Sequence, residues 1–165
     1  MNREGRFSSH LSLLIRALTL SDGPVLELGM GMFSTPVLHW MCFPRRRLLS
    51  FESDRRYFEK LRGFADPWFH EIYLAEDWDA IPIEQPWDVV LVDHNAGRRR
   101  VELPRVRAAK FVVIHDTDAG RPERVYQMSA VIAQYYRYAY QLCVPGAPST
   151  TVASNTVDNL KEMFA

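Results

Sequence analysis

Two segments of the sequence end in side chains that could move a proton. One apolar run ends in Asp93 and His94, and another ends in His115 and Asp116. An imidazole that titrates near neutral pH can take a proton from a hydroxyl or an amine, and a carboxylate can orient that imidazole. If both runs are neighbouring parallel strands, their carboxyl ends meet. We therefore predict that His94, His115 and Asp116 form a catalytic group.

A ligand-binding turn is indicated earlier in the chain. The apolar run 25–28 contains Glu27 and is followed by Gly29 and Gly31, and a helical pattern begins near Pro36. Glycines let the backbone approach a ligand closely, and the N–H groups at the start of the next helix point towards it. A carboxylate at this place suits a ligand with a cationic group better than it suits a pyrophosphate.

Further acids follow the next two strand-like runs. Glu52 ends the run 48–51, where a carboxylate can accept hydrogen bonds from both hydroxyls of a ribose. Asp77 and Trp78 follow the run 70–74. Every one of these side chains therefore stands at the carboxyl end of a predicted strand, where open α/β sheets bind their ligands.

The glycine turn and the acids after the second and fourth strands together resemble the class I S-adenosylmethionine-dependent methyltransferases. The resemblance extends from about Pro24 to Asp158, with Phe33 in place of the third glycine of the family motif. Gly-Met-Phe-Ser-Thr is similar to the Gly-x-x-Ser-Thr variant of some small bacterial members. The resemblance implies that S-adenosylmethionine is bound by Glu27, Gly29, Gly31, Ser34, Glu52, Asp77, Trp78 and Asp93. Asp77, or in its place Glu76 or Asp79, would face the adenine, and Glu27 the methionyl amino group.

A dinucleotide is the competing cofactor. Its fingerprint needs a third glycine three positions after the second, where this chain has Ser34. Glu52 suits either cofactor, whereas Glu27 and Asp93 favour a ligand with an ammonium group. The set of acids thus favours S-adenosylmethionine.

Activation of the methyl acceptor leaves two alternatives. In the first, which we favour, His115 is a general base and no metal is needed. In the second, the resemblance to certain O-methyltransferases and cephalosporin-hydroxylase-like proteins implies a divalent ion held by Asp93, His115 and Asp116. One imidazole with two carboxylates would suit Mn, Fe or Zn better than Mg.

The residues after the fourth strand bear on the acceptor. Family members that methylate amino groups of bases or of glutamine commonly carry Asn/Asp-Pro-Pro-aromatic there, whereas residues 93–96 read Asp-His-Asn-Ala. Arg98, Arg99 and Arg100 follow, and three cations at the start of a helix are electrostatically unfavourable. We therefore predict that Arg98 and Arg99 bind an anionic group of the substrate.

Composition narrows the function classes. The 165 residues carry no formal net charge, so the chain as a whole lacks the basic excess of a nucleic-acid-binding protein. Its two cysteines are far apart, which indicates free thiols in a reducing compartment. The apolar stretch 11–20 contains Arg16 and is too short to span a bilayer. We expect a cytoplasmic protein that acts on a small molecule, without a membrane or nucleic-acid partner.

Strand and helix patterns alternate along the chain. Strands are predicted at 25–28, 47–51, 70–74, 87–92, 111–114, 138–144 and 151–154, and helices at 9–20, 36–42, 54–64, 98–108 and 122–136. Ser8 or Ser9, Thr35 and Asp54 are the expected helix caps. This order predicts a single α/β domain over residues 1–165, with residues 1–22 forming an N-terminal helix packed on it. The fold class is a Rossmann-like doubly wound sheet, mostly parallel, with an antiparallel last strand.

The predicted function is methyl transfer from S-adenosylmethionine to an oxygen or nitrogen of a small, anionic molecule. The chain has no cap domain between its strands, so enclosing the substrate would need a second subunit, as in a homo-oligomer, or a large substrate. The alternative from another class is a non-catalytic module that binds the cofactor or a nucleotide and has no need for His94 and His115. An RNA modifier is a third interpretation, supported only by the arginine triplets at 45–47 and 98–100.

Overall fold

The computed structural model describes residues 8–118 and 127–165 of the chain. Its helices are α1 (Leu11–Thr19), α2 (Ser34–Cys42), α3 (Arg55–Leu61, continued by a 3-10 turn at Arg62–Phe64), α4 (Ala96–Arg105), α5 (Met128–Tyr135) and α6 (Leu160–Phe164). Its strands are β1 (Val25–Leu28), β2 (Leu48–Glu52), β3 (His70–Leu74), β4 (Val89–Val92), β5 (Phe111–His115), β6 (Tyr138–Leu142) and β7 (Thr150–Ser154).

The strands form one sheet in the order β3-β2-β1-β4-β5-β7-β6. β1 to β5 run parallel to one another, whereas β7 runs antiparallel to both β5 and β6. The predicted doubly wound sheet, mostly parallel with an antiparallel end, is therefore confirmed. The chain builds outwards from β1 to β3 and then returns to place β4 on the other side of β1. Such a reversal opens a crevice at the carboxyl ends of β1 and β4.

Apolar side chains cover both faces of the sheet. β1, β4 and β5 are buried along their whole length, as expected for parallel strands with helices on both sides. α1, α2 and α6 pack on one face, and α4 and α5 pack on the other. The ends of the strands are therefore where polar side chains can meet a ligand.

The start of α1 differs from the prediction. His10 is the N-cap residue and no side chain caps the helix, because the Ser9 hydroxyl bonds to His115 instead. Ile15 does not belong to the buried face of the helix, since its side chain is 39% exposed. The buried face of the helix consists of Leu13, Leu14, Ala17 and Leu18. This face turns the first residues of α1 towards the carboxyl ends of the strands.

Other differences concern helix ends. α2 begins at Ser34 without a side-chain cap, and the Thr35 hydroxyl points to Glu27 rather than capping the helix. The Asp54 cap is confirmed, since its carboxylate accepts the Arg56 N–H at 2.8 Å. α6 was not predicted, and the first residues of the helix predicted at 122–136 lie outside the described residues. No helix within 8–118 or 127–165 has both the length and the apolar character needed to cross a bilayer.

Candidate active site

Two adjoining cavities follow the carboxyl edge of the sheet. The larger has a volume of about 480 Å³ and the smaller about 300 Å³. Met30, Tyr57 and Asp93 line both cavities. The larger cavity is also lined by His10, Gly31, Met32, Phe33, His115, Asp116 and Pro148. The smaller cavity is also lined by Glu52, Ser53, Asp54, His94 and Asn95. Together they form a continuous path from the end of β2 to the end of β5.

The turn after β1 requires glycine at its first position. Gly29 has φ of +96°, and a Cβ there would lie 2.4 Å from the backbone nitrogen of His94. The backbone of β4 therefore passes directly beneath the turn. The Met30 N–H donates to Glu52 at 2.9 Å, and the Gly31 N–H donates to the Thr35 hydroxyl at 3.1 Å. These bonds hold the turn against the end of β2 and the start of α2.

Glu52 lies at the rim of the smaller cavity. Its carboxylate accepts the Met30 N–H on one oxygen and the Asp54 N–H, at 2.6 Å, on the other. Burial raises the pKa of Glu52, and these backbone bonds oppose the rise. Each carboxylate oxygen keeps a second acceptor site. Glu52 can therefore fix the glycine turn and still accept the two hydroxyls of a ribose.

Glu27 does not reach either cavity, contrary to the prediction that it meets the ligand. Its side chain is fully buried and accepts the hydroxyls of Ser34 at 2.6 Å, Thr35 at 3.0 Å and Ser50 at 2.7 Å. Burial raises its pKa to about 7, although the three hydroxyls act in the opposite direction. The side chain points sideways from β1, under α2, rather than along the strand. Ser34, also predicted to bind the cofactor, is buried with it.

The predicted adenine-binding residues are separated. Asp77 is exposed and its carboxylate accepts the Asp79 N–H at 2.9 Å. Trp78 is buried in the apolar core and contacts the imidazole of His94, with ring centres 4.4 Å apart and ring planes inclined by 42°. Neither residue lines the two cavities, so their contact with a cofactor stays a prediction.

His94 is not beside His115, which corrects the predicted pairing of the two imidazoles. Consecutive side chains leave a strand on opposite sides, so Asp93 reaches the larger cavity with His115 while His94 turns to the smaller one. Both ring nitrogens of His94 lack a hydrogen-bond partner among the described residues. Burial, together with the nearby Arg99, lowers the pKa of His94 to about 3. The ring is therefore neutral and borders the same cavity as Glu52.

His115 instead forms a hydrogen-bonded chain with Asp93 and Ser9. Its Nδ1 lies 3.0 Å from an oxygen of Asp93, and its Nε2 lies 3.0 Å from the Ser9 hydroxyl. Burial disfavours the charged imidazole, but the bond to Asp93 and the charges of Asp93 and Asp116 outweigh burial and raise the pKa of His115. The geometry places an imidazole–carboxylate pair at the inner end of the larger cavity.

His10 completes this end of the site. Its ring is 2% exposed and meets the ring of His115 edge-on, with centres 4.7 Å apart. Its Nδ1 lies 4.0 Å from the second oxygen of Asp93. Burial lowers the pKa of His10 to about 4, so the ring is neutral at physiological pH. His10 was not among the predicted site residues, although a histidine directly before an apolar helix was a usable signal.

Arg99 holds the ends of β4 and β5 together. The guanidinium is buried and donates to the carbonyls of His94 and His115, both at 2.7 Å. It also donates to Asp93 at 3.0 Å and to Asp116 at 3.1 Å. Four of the five N–H donors of this guanidinium thus bond within the protein. Asp116, whose φ is +55°, is oriented by the same contact.

Arg98 donates to acidic side chains that lie outside the two cavities. It donates to Asp79 at 2.7 Å and to the fully buried Glu102 at 2.8 Å, one turn along α4. It lines neither cavity. That Arg98 and Arg99 bind an anionic group of the substrate therefore stays a prediction, and acceptors within the protein already take Nη2 of Arg98 and four N–H groups of Arg99.

Comparison with known proteins bears on the fold. No protein-family model and no curated protein matches the chain. The structure is similar to the O-methyltransferase TomG from Streptomyces achromogenes, solved with S-adenosylmethionine, at 19% identity and a TM-score of 0.64, covering 89% of this chain and 78% of that one. An O-methyltransferase from Bacillus cereus, solved with S-adenosylhomocysteine, aligns at 14% identity and a TM-score of 0.64, covering 93% and 81% of the two chains.

Spermidine synthase in complex with the transition-state analogue AdoDATO is also similar. It aligns at 18% identity and a TM-score of 0.67, covering 96% of this chain and 62% of that one. One fold thus carries more than one reaction, and function must be argued from the site. What the similarities establish is the architecture: this chain has the Rossmann-like fold of the class I S-adenosylmethionine-dependent methyltransferases.

Proposed function

We propose that this protein transfers a methyl group from S-adenosylmethionine to an oxygen or nitrogen of a small molecule. The observation that carries the proposal is the continuity of the two cavities, with Glu52 at one end and the His115–Asp93 pair at the other. A nucleoside and its reacting group need such a path along the ends of the strands. The solved structures that share this fold include methyltransferases with the cofactor or its product bound.

The residues divide into two roles along this path. Glu52, Gly29, Met30 and Gly31 would hold the cofactor, which supplies an electrophilic methyl group when bound. His115 and Asp93 would activate the acceptor at the far end. Methyl transfer depends mainly on aligning the donor, the methyl group and the acceptor. The bonds that fix the glycine turn to Glu52 support that alignment.

The acceptor that this site suits is not an anion. The cavity wall carries Asp93 and Asp116, and the buried Arg99 guanidinium beside them already donates to both carboxylates and to two carbonyls. Met32, Phe33 and Tyr57 contribute apolar surface at the mouth and are each more than a third exposed. A neutral molecule with an apolar part fits this lining.

A purely binding module and an RNA modifier are less well supported. A binding module needs no imidazole–carboxylate pair at the acceptor end. The first arginine triplet is also engaged within the protein: Arg46 donates to the carbonyls of Gly23 and Leu18, and Arg47 pairs with Glu71. Two of the three arginines of this triplet thus already have partners within the protein, whereas Arg45 is exposed.

A thermal-shift experiment with S-adenosylmethionine, S-adenosylhomocysteine and NAD tests the proposal. A ligand at about 100 times its Kd stabilises the native state by about 2.7 kcal/mol. For a chain of this size that is a rise in Tm of about 5–10 °C. We expect this rise with both sulfur nucleosides and none with NAD. A rise with NAD alone would refute the proposal.

A further inference from the structure

The inner end of the larger cavity brings together three metal-ligating side chains from distant parts of the chain. His10 precedes α1, Asp93 ends β4 and His115 ends β5. One ligand atom of each lies within 4.8 Å of the others. His115 Nδ1 lies 3.0 Å from one oxygen of Asp93, and His10 Nδ1 lies 4.0 Å from the other.

His10 has no other evident purpose at this place. It is 2% exposed, and neither ring nitrogen has a hydrogen-bond partner among the described residues. A buried polar group without a partner costs stability, so an unpaired imidazole facing a carboxylate and a second imidazole calls for a ligand. A cation is the ligand that would satisfy all three side chains together.

The surroundings also suit an ion. Arg99 donates to one oxygen of Asp93, and the other oxygen faces His10. Ligating carboxylates in metal sites are commonly held in this way by a second hydrogen bond. Asp116 borders the same cavity, and the open volume beside the cluster can admit water or an acceptor oxygen as a further ligand.

We propose that His10, Asp93 and His115 together bind one divalent transition-metal ion, of the Zn²⁺, Fe²⁺, Mn²⁺ or Co²⁺ class. Two imidazoles and one carboxylate favour these ions over Mg²⁺, which prefers oxygen ligands. This set replaces the one expected from the sequence, because His10 takes the place of Asp116. The ion would then activate the acceptor as a Lewis acid, in place of His115 acting as a base.

The distances require only a small adjustment. Ligand atoms around a tetrahedral Zn²⁺ stand about 3.3 Å apart, given metal–ligand bonds of about 2.0 Å. The ion would take the place of the proton between His115 Nδ1 and Asp93, and the neutral ring would then carry its proton on Nε2 and donate it to the Ser9 hydroxyl. The 4.0 Å between His10 Nδ1 and the nearer oxygen of Asp93 would have to shorten to this spacing.

Titration of the metal-stripped full-length protein with Co²⁺, followed by its visible absorption, tests the inference. We expect saturation at one Co²⁺ per chain, displacement by Zn²⁺ and no displacement by Mg²⁺. His10→Ala and the more conservative His10→Gln should each weaken Co²⁺ binding by about tenfold or more. His39→Ala, which removes a half-buried histidine on α2, should bind as the wild type does.

A second readout needs no variant. In the wild-type protein, Zn²⁺ should shift the imidazole NMR signals of His10 and His115 and leave those of His39 in place. Absence of saturable Co²⁺ binding, equal displacement by Mg²⁺, wild-type affinity in both His10 variants, or unchanged His10 signals would each overturn the inference. S-adenosylhomocysteine binding without metal binding would overturn this inference alone. Metal binding without S-adenosylhomocysteine binding would overturn the proposed function alone.

Discussion

Replacing Glu27 by glutamine should change how the stability of the protein depends on pH. Glu27 is fully buried, and its pKa is raised from 4.5 to about 7 in the folded protein. The unfolded chain therefore releases this proton at a lower pH than the folded protein does. Compared with a protein whose residue 27 does not titrate, the wild type loses folding stability as pH rises from about 4.5 to about 7. The loss is complete above that range.

The size of the effect follows from the shift. About 1.4 kcal/mol corresponds to one pKa unit, so a rise from 4.5 to about 7 is worth about 3 kcal/mol. Glutamine keeps the shape of the side chain and can still bond to the hydroxyls of Ser34, Thr35 and Ser50, which rotate to donate or accept. Most of this effect falls between pH 5 and pH 8, where Glu27→Gln should become more stable relative to the wild type by about 2.5 kcal/mol.

Urea unfolding at pH 5, 6, 7 and 8, followed by circular dichroism, measures this difference. Groups common to both proteins cancel when the two free energies of unfolding are subtracted. Glu59→Gln is the control, because Glu59 is exposed and pairs only with Arg62 on the surface. The reasoning would be refuted if the difference in free energy of unfolding between Glu27→Gln and the wild type did not change with pH, or if it shifted in favour of the wild type as pH rises. Either result would mean that the three hydroxyl donors keep Glu27 ionised despite its burial.

Two further substitutions test how the site is built. Gly29→Ala should destabilise the protein by several kcal/mol, because a Cβ at this φ of +96° meets the backbone of His94. Gly63→Ala is the control: the space around its Cβ is open, so it should change stability by less than about 1 kcal/mol in the same urea assay. Arg99→Lys should cost about 3–5 kcal/mol, because lysine cannot satisfy four acceptors around one planar group, and the exposed Arg100→Lys should cost less than about 0.5 kcal/mol. Equal stability of the two arginine variants, or of the two glycine variants, would contradict these roles.

The sheet and one half of the site could be predicted from the sequence. Continuous apolar runs identified β1, β4 and β5, and the acids that follow these runs must gather at one edge of a parallel sheet. Asp93 and His115 meet because β4 and β5 are paired in register, with Val92 opposite Ile114. This adjacency needs only the strand order of the fold.

Side-chain direction limited the rest. A strand pattern in the sequence does not say whether Glu27 points into the crevice or under α2. The structure shows that it points under α2. Side chains alternate along a strand, so His94 points to the opposite side from Asp93. The prediction grouped His94 with His115 and did not apply this alternation. Among Arg98, Arg99 and Arg100, the phase of α4 decides which guanidinium is buried, and the sequence alone does not contain that phase.

Long-range packing limited the prediction of the acceptor end. Ser9 and His115 are 106 positions apart, and their hydrogen bond depends on how α1 lies across β5. The buried face of α1, formed by Leu13, Leu14, Ala17 and Leu18, sets that position. His10 reaches the site through the same packing, which the sequence alone does not contain.

Isothermal titration calorimetry with S-adenosylhomocysteine tests the central claim most directly. The account predicts one site per chain in the wild-type protein. It also predicts at least tenfold weaker binding in Glu52→Gln, because the amide turns a donor towards the N–H of Met30 or Asp54 and removes a charged acceptor for the ribose, at a cost of about 1.5–3 kcal/mol. Glu76→Gln, an exposed change outside both cavities, should bind as the wild type does. No binding by the wild-type protein, or equal affinity in Glu52→Gln, would contradict the account.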